Sequence, residues 1–284
     1  MRTTICKAPV STLKEFNNLF IELTEKNCNQ RCKHCYIDFP LNKNVKDFIS
    51  VDIVKNAMSD TKNEKIKCIY LTGAEPMTHP DFNSILRLCL KKTNVCIHTN
   101  GTFINEKKAR FLKKVEDESN FEIIFKLSID HWDEIKSDDL RGRGSYRQVV
   151  HAAKSLTKYN FNPIFSITNY YKEDKKLLLE NFKQICDKIG VETGNNNFVI
   201  NEYYDKNNLP HLDEFDWKTL DCEHGRVLTA KGVYACPFLA NDHRGRNGTD
   251  FKDFSHKNLL ETEFCTLCIK NKEQLFGINY ELFQ

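Results

Sequence analysis

Three cysteines within eight residues, Cys28, Cys32 and Cys35, constrain this chain more than any other stretch of it. Thiols at C-x3-C-x2-C spacing in one loop turn readily toward a single centre, and soft sulfur ligands select zinc or iron–sulfur clusters. Three ligands are one short of a closed tetrahedral zinc site. On a cubane cluster, three leave one iron free for a ligand that the protein does not supply. The spacing alone leaves two readings open: a zinc knuckle with a distant fourth ligand, or an incompletely coordinated cluster.

Composition narrows the setting. The chain has 284 residues and a formal net charge of +3, near balance, which makes no case for nucleic-acid binding. No apolar run approaches the ~18 residues needed to span a bilayer. Residues 1–23 carry scattered polar side chains and no uninterrupted apolar core of a signal peptide, so the chain reads as cytoplasmic. In such a compartment twelve cysteines argue for metal binding or catalysis rather than disulfides. Seven of them fall in two clusters. The other five, Cys6, Cys68, Cys89, Cys96 and Cys186, sit in or near apolar segments and are expected mostly as small buried hydrophobes.

The apolar pattern alternates between short and long periods. Strands are expected over 19–23, 67–71, 95–98, 122–129, 163–168 and 197–203. Helices are expected over 51–58, 81–91, 106–115, 145–159 and 175–189, with Asn105 and Ser145 as N-caps. Short strands alternating with helices of ten or more residues give βα units and a parallel sheet, an α/β fold. Six such strands are fewer than a closed eight-stranded barrel uses. A polar, proline-containing stretch at 205–216 marks a boundary. Residues 1–18 form a lead-in, 19–210 the βα domain, and 211–284 a smaller cysteine-rich unit with its tail. Within that unit Val227-Leu228 and Val233-Tyr234 flank Lys231-Gly232 as a β-hairpin.

C-x3-C-x2-C followed at once by an aromatic, here Tyr36, is similar to the signature of the radical SAM superfamily. The resemblance continues at successive strand ends: Gly73-Ala74-Glu75-Pro76, Thr99-Asn100-Gly101 and Ser128-Ile129-Asp130. It covers roughly residues 19–204 and implies a partial (β/α)6 TIM-like barrel. It also implies that Cys28, Cys32 and Cys35 hold a [4Fe-4S] cluster whose open iron chelates S-adenosylmethionine. Reductive cleavage of that cofactor yields a 5′-deoxyadenosyl radical. Gly73, Ala74 and Glu75 would then hold the methionine amino group, with Ala74 standing where the family has a second glycine. Asn100, Ser128 and Asp130 would serve the methionine carboxylate and the ribose. Arg141 matches the arginine that binds the carboxylate, its planar fork suiting that group, with Arg143 a weaker substitute. Tyr36 and Asn169 lie where relatives contact adenine.

The second cluster is Cys222, Cys236, Cys265 and Cys268, enough thiolates for a closed site. Zinc ribbons usually pair two C-x2-C knuckles, whereas the first half here is a wide loop around a hairpin. The segment from Cys222 to Phe238 resembles the start of the SPASM/twitch auxiliary domain. Four cysteines suit the shorter twitch type, a hairpin plus helix with one auxiliary [4Fe-4S] cluster, as in the 2-deoxy-scyllo-inosamine dehydrogenase group. The resemblance therefore implies two clusters, S-adenosylmethionine, a flavodoxin- or ferredoxin-type electron donor, and net two-electron oxidation of a substrate, with a nearby base taking the proton. A small metabolite is the leading substrate expectation. A peptide, crosslinked or epimerised, is the alternative, and a zinc-binding structural protein the rival from another class. His243, Arg244 and Arg246 after the hairpin suit an anionic group if they face the site, and otherwise form a solvated loop.

Overall fold

The computed structural model describes residues 10–37, 39, 47–205, 207–209, 222, 224–260, 262, 264, 265 and 268. Its centre is a run of parallel strands and returning helices: β2 (Asn18–Glu22), α1 (Val51–Asp60), β3 (Cys68–Thr72), α2 (Phe82–Cys89), β4 (Asn94–Thr99), α3 (Glu106–Asp117), β5 (Ile123–Ser128), α4 (Glu134–Arg141), α5 (Ser145–Lys158), β6 (Ile164–Asn169), α6 (Lys175–Ile189) and β7 (Phe198–Glu202). A short β1 (Val10–Thr12) precedes it, and β8 (Gly225–Thr229), β9 (Gly232–Tyr234), β10 (Arg246–Gly248) and β11 (Lys257–Leu259) follow.

Nine strands form one sheet in the order β10-β9-β8-β2-β3-β4-β5-β6-β7. The six expected parallel strands are all present, in sequence order from β2 to β7. The sheet ends at β7 and β10, and among the described residues no pairing joins these edges, so the barrel stays open. Parallel strands covered on both faces must be apolar on both, and all five residues of β2 are buried. Leu71, Ile97, Leu127 and Ile167 face the helix layer with Ile85, Leu86, Leu112 and Leu156. Phe20, Cys68, Tyr70, Cys96, Val227 and Tyr234 pack on the concave side. Cys68, Cys89, Cys96 and Cys186 are buried as expected, and Cys6 lies outside the described residues.

The helices begin where side chains accept their free N–H groups. Ser50, Asn105, Asp133 and Asp174 cap α1, α3, α4 and α6. Ser145 does not cap α5. It is the first helical residue, after Gly144, because Asp138 of α4 accepts from Gly144 N, Tyr146 N and the Ser145 hydroxyl and takes over the capping role. Helix α4 was not expected from the pattern, since its eight residues bury only Ser137 and Leu140.

Two further features depart from expectation. The lead-in contains β1, which pairs antiparallel with β11. The hairpin β8–β9 is not an appendage, because β8 lies parallel to β2 with Leu19 opposite Arg226. The sheet therefore crosses the boundary expected near 210. In the expected C-terminal helix Phe264, Cys265 and Cys268 are helical, while residues 211–221 and 269–284 lie outside the described residues.

Candidate active site

The cysteine loop leaves β2 and is fixed by backbone bonds on two sides. Ala74 N donates to Thr24 O at 2.9 Å and Glu75 N to Asn27 O at 3.1 Å, while Lys33 N donates to Leu140 O at 2.9 Å. The thiols of Cys28, Cys32 and Cys35 line one cavity of about 290 Å³ at the carboxyl ends of the strands, where α/β sheets bind ligands. Donors are aimed at the sulfurs: Gln30 N at 3.3 Å and Asn100 Nδ2 at 3.8 Å from Cys28 Sγ, and Arg141 Nη1 at 3.8 Å from Cys32 Sγ. Such donors favour thiolate ligands. Burial pushes the Cys28 thiol up to about 11, and a cation bound among these sulfurs would act in the opposite direction and favour the thiolate. Among the described residues no three His, Cys, Asp or Glu side chains gather tightly enough for a single ion. Three thiols spaced around one cavity fit the wider ligand spread of a cluster, which Cys28, Cys32 and Cys35 would hold.

Gly73 is the fixed point of the next strand end. Its φ is +118°, and a Cβ there would stand 2.3 Å from Thr24 O. Ala74 is not among the positive-φ residues, so its methyl is accommodated. Glu75 is buried, and its carboxylate is fully engaged: Oε1 accepts from Met77 N and Thr99 Oγ1, Oε2 from Asn100 N at 2.8 Å. Burial raises its pKa to about 7 in spite of these donors. The Asn100 amide donates to Asn29 Oδ1 at 2.9 Å, tying β4 to the cysteine loop.

Asp130 is buried and lies outside the cavity lining. It holds Arg141, with Nη2 3.0 Å from Oδ1, and His34, with Nε2 3.3 Å from Oδ2. Burial pushes the Asp130 carboxyl up, but the Arg141 and His34 charges outweigh it and hold it below the usual range. Arg141 is the last residue of α4, which Gly142 ends at φ +106°. Its guanidinium thus spans Asp130 and Cys32 at the cavity wall. Arg143 is exposed and does not line this cavity. Ser128 and Tyr36 line the cavity, Tyr36 with its ring edge-on to Phe238 at 5.6 Å. Asn169 does not line it: its amide is closed on the backbone of Glu173 through two bonds. His243 is exposed and Arg244 is paired with Asp242, so that loop stands apart from the cavity.

Sequence reasoning missed the inner wall. His98 and Lys126 are cross-strand neighbours on β4 and β5, and both line the cavity with Ser166 and Thr168. Lys126 is buried, and burial lowers its pKa to about 8 against the pull of the Cys96 and Cys68 thiols. His98 Nε2 is buried without a hydrogen-bond partner, and its pKa is pushed far down by burial. Polar residues at alternate positions of otherwise apolar strands were the available signal, because alternate positions share a face.

The second cysteine set lies beyond the hairpin, and like the first it is spread too widely to close on a single ion. Burial, with the charges of Cys222, Cys236 and Cys265, pushes the Cys268 thiol well up, so the four sulfurs lie within electrostatic reach of one another. Phe238 lies two residues after Cys236, and Phe264 immediately precedes Cys265. Their rings stack at 5.5 Å, and both line the same cavity as the first three thiols.

Comparison with known proteins agrees with this geometry. The family model of the radical SAM superfamily matches residues 25–185. A cysteine-type anaerobic sulfatase-maturating enzyme of Clostridium novyi (strain NT) is 30% identical over 161 residues, 50% of this chain and 41% of that protein, so the chain matches less than half the length of this relative. The structure of anSMEcpe with bound AdoMet and Cp18Cys peptide aligns with TM-score 0.61 at 15% identity, over 93% of this chain and 84% of that one. Streptococcus suis SuiB bound to its precursor peptide SuiA aligns with TM-score 0.63 at 13% identity, over 94% and 67%. At these identities the structural likeness is one of fold. With its model matched over more than half of the residues, the chain belongs to the radical SAM superfamily.

Proposed function

We infer that this enzyme abstracts a hydrogen atom from a substrate seated between its two cysteine sets, in a net two-electron oxidation. One observation carries the reading: the Cys28, Cys32 and Cys35 thiols and the aromatic flank of the second set, Phe238 and Phe264, line a single cavity. When bound, the cluster on the first set and S-adenosylmethionine supply a 5′-deoxyadenosyl radical, and an auxiliary cluster on Cys222, Cys236, Cys265 and Cys268 supplies an electron acceptor. The chain's own part is placement. Gly73, Ala74, Asn100, Ser128 and Arg141 converge on the nucleoside and methionine positions, and Tyr36 covers them. Asp130 and Asn169 act one layer back, orienting Arg141 and the loop after β6. Lys126 and His98 stand on the inner wall, where a substrate proton can be taken up; a base with a pKa near the working pH is best suited to that role.

For the substrate class the reading shifts from a small metabolite toward a peptide side chain. Two of the chains it resembles are recorded with bound peptides and a third as a sulfatase maturase. The electron donor of flavodoxin or ferredoxin type is part of the same proposal.

Anaerobic reconstitution tests it. Cys28→Ala, Cys32→Ala and Cys35→Ala should each abolish 5′-deoxyadenosine formation from S-adenosylmethionine. Cys222→Ala and Cys268→Ala should lower iron content, leave slow uncoupled cleavage, and block product. Full turnover in the second pair would refute an electron-accepting role for that site. Stimulation of deoxyadenosine formation by sulfhydryl- or hydroxyl-bearing peptides, and not by sugars or amino sugars, separates the two substrate classes.

A further inference from the structure

Among the described residues Arg226 is the largest side chain to be wholly buried. It is the second residue of β8, which lies inside the main sheet between parallel β2 and antiparallel β9, where a hydrophobic residue is the rule. Its hydrogen bonds reach only neutral groups. Nη1 donates to Gly225 O and Nη2 to His256 O, each at 2.7 Å. With the Asn258 amide turned so that its oxygen faces inward, that oxygen accepts from Nη1 at 3.3 Å. Nε is buried with no partner. Among the described residues no carboxylate pairs with it.

A guanidinium stripped of water without an anion beside it costs several kcal/mol, on the order of what breaks a small protein. Folding does not ordinarily retain such a group. The antiparallel register, with Val227 opposite Tyr234, sets Arg226 beside the end of β9 that leads into Cys236. The groups that favour its charge are Cys222 and Cys236, two of the four thiols in the second set. As protonated thiols they are neutral and compensate nothing. Ligated to a cluster they are thiolates, and a [4Fe-4S] core closed by four thiolates carries net negative charge. An electron added to such a cluster makes it more negative still.

We propose that Arg226 is the buried counter-ion of a four-thiolate metal centre on Cys222, Cys236, Cys265 and Cys268, and that it raises the reduction potential of a cluster there. The inference rests on the auxiliary-cluster reading above and deepens it. The hydrogen bonds to Gly225 and His256 make Arg226 a positioning residue as well, joining β8 to the turn before β11. The charge, however, does work that a neutral side chain of similar reach cannot do.

The test uses the full-length chain carrying Cys28→Ala, Cys32→Ala and Cys35→Ala, reconstituted with iron and sulfide, so that only the second site reports. Iron content and an EPR-monitored potentiometric titration are read for this background, for Arg226→Gln and for Arg226→Lys. Glutamine keeps a donor for the carbonyls and loses the charge; lysine keeps the charge. The expected result is that Arg226→Gln shifts the balance of reduced to oxidised cluster at fixed ambient potential at least tenfold toward oxidised, about 59 mV for one electron, and that Arg226→Lys recovers most of it. If Arg226→Gln fails to load metal and Arg226→Lys loads it, the charge requirement is supported. An unchanged potential in Arg226→Gln overturns the proposal, as does equal failure of both variants to load, which marks a purely steric role. Iron content that Cys268→Ala leaves untouched removes the auxiliary centre itself, and the counter-ion with it.

Discussion

At the scale of single residues, the site is held by positions where one atom decides. Gly73 is the sharpest of them. A methyl there faces a backbone oxygen at 2.3 Å and a φ that side chains rarely adopt. Gly73→Ala is expected to cost about 1–3 kcal/mol in strain alone, and to move the Thr24 carbonyl that receives Ala74 N. Thermal denaturation of the metal-free protein and iron uptake by the first site should both register the change, whereas Ala74→Gly should be close to neutral. The residue scale is also where the sequence was most legible. All three thiols of the first set line one cavity, and Arg141 stands beside them because a guanidinium needs an anion and Asp130 supplies it. Asp130 and Asn169 were placed against the ligand by their motif positions, but both spend their polar atoms on the protein. A motif records that a polar group is needed at a strand end; it does not record which neighbour that group will satisfy.

At the scale of elements, strongly periodic segments were readable and weakly periodic ones were not. Helix α6 was expected and found over the same residues, because Asp174 caps its start and Gly190 ends it in the left-handed conformation. Helix α4 escaped notice, yet it carries Arg141 to the site. Its hold on α5 runs through Asp138, which gathers three donors at the start of that helix. Asp138→Ala should therefore lose about 1–2 kcal/mol of stability, the range of a lost cap, with Asp138→Asn recovering part. Calorimetry at neutral pH checks the stability. Weaker binding of S-adenosylmethionine to the Asp138→Ala variant, by equilibrium dialysis, checks that α4 sets the Arg141 position. Strand β8 was read correctly as half of a hairpin. Its second role, as a parallel neighbour of β2, has no local signal, since pairing across two hundred residues is decided by the whole sheet.

At the scale of the whole molecule, the first and last parts of the described chain are built into one object. Glu22 ends β2 and accepts from Asn241 Nδ2 at 2.7 Å, far along the chain. Burial, only partly offset by that bond, raises its pKa from 4.5 to about 7. The folded state thus keeps a proton that the unfolded chain releases, so this contribution is complete below about 4.5 and fades as pH climbs to about 7. A shift of that size corresponds to about 3 kcal/mol. Replacing the acid by its amide, Glu22→Gln, should flatten the decline, leaving the variant more stable than the parent at pH 8 and similar at pH 4; chemical denaturation of metal-free protein at the two pH values decides it. The seam between β2 and β8 has a consequence for biosynthesis. Asn18 N bonds to the carbonyl of His224, 206 residues away. On the ribosome one flank of β2 must wait, its amides unsatisfied, while nearly the entire intervening barrel is translated. A polypeptide released before residue 229 offers that bare flank to any other nascent strand.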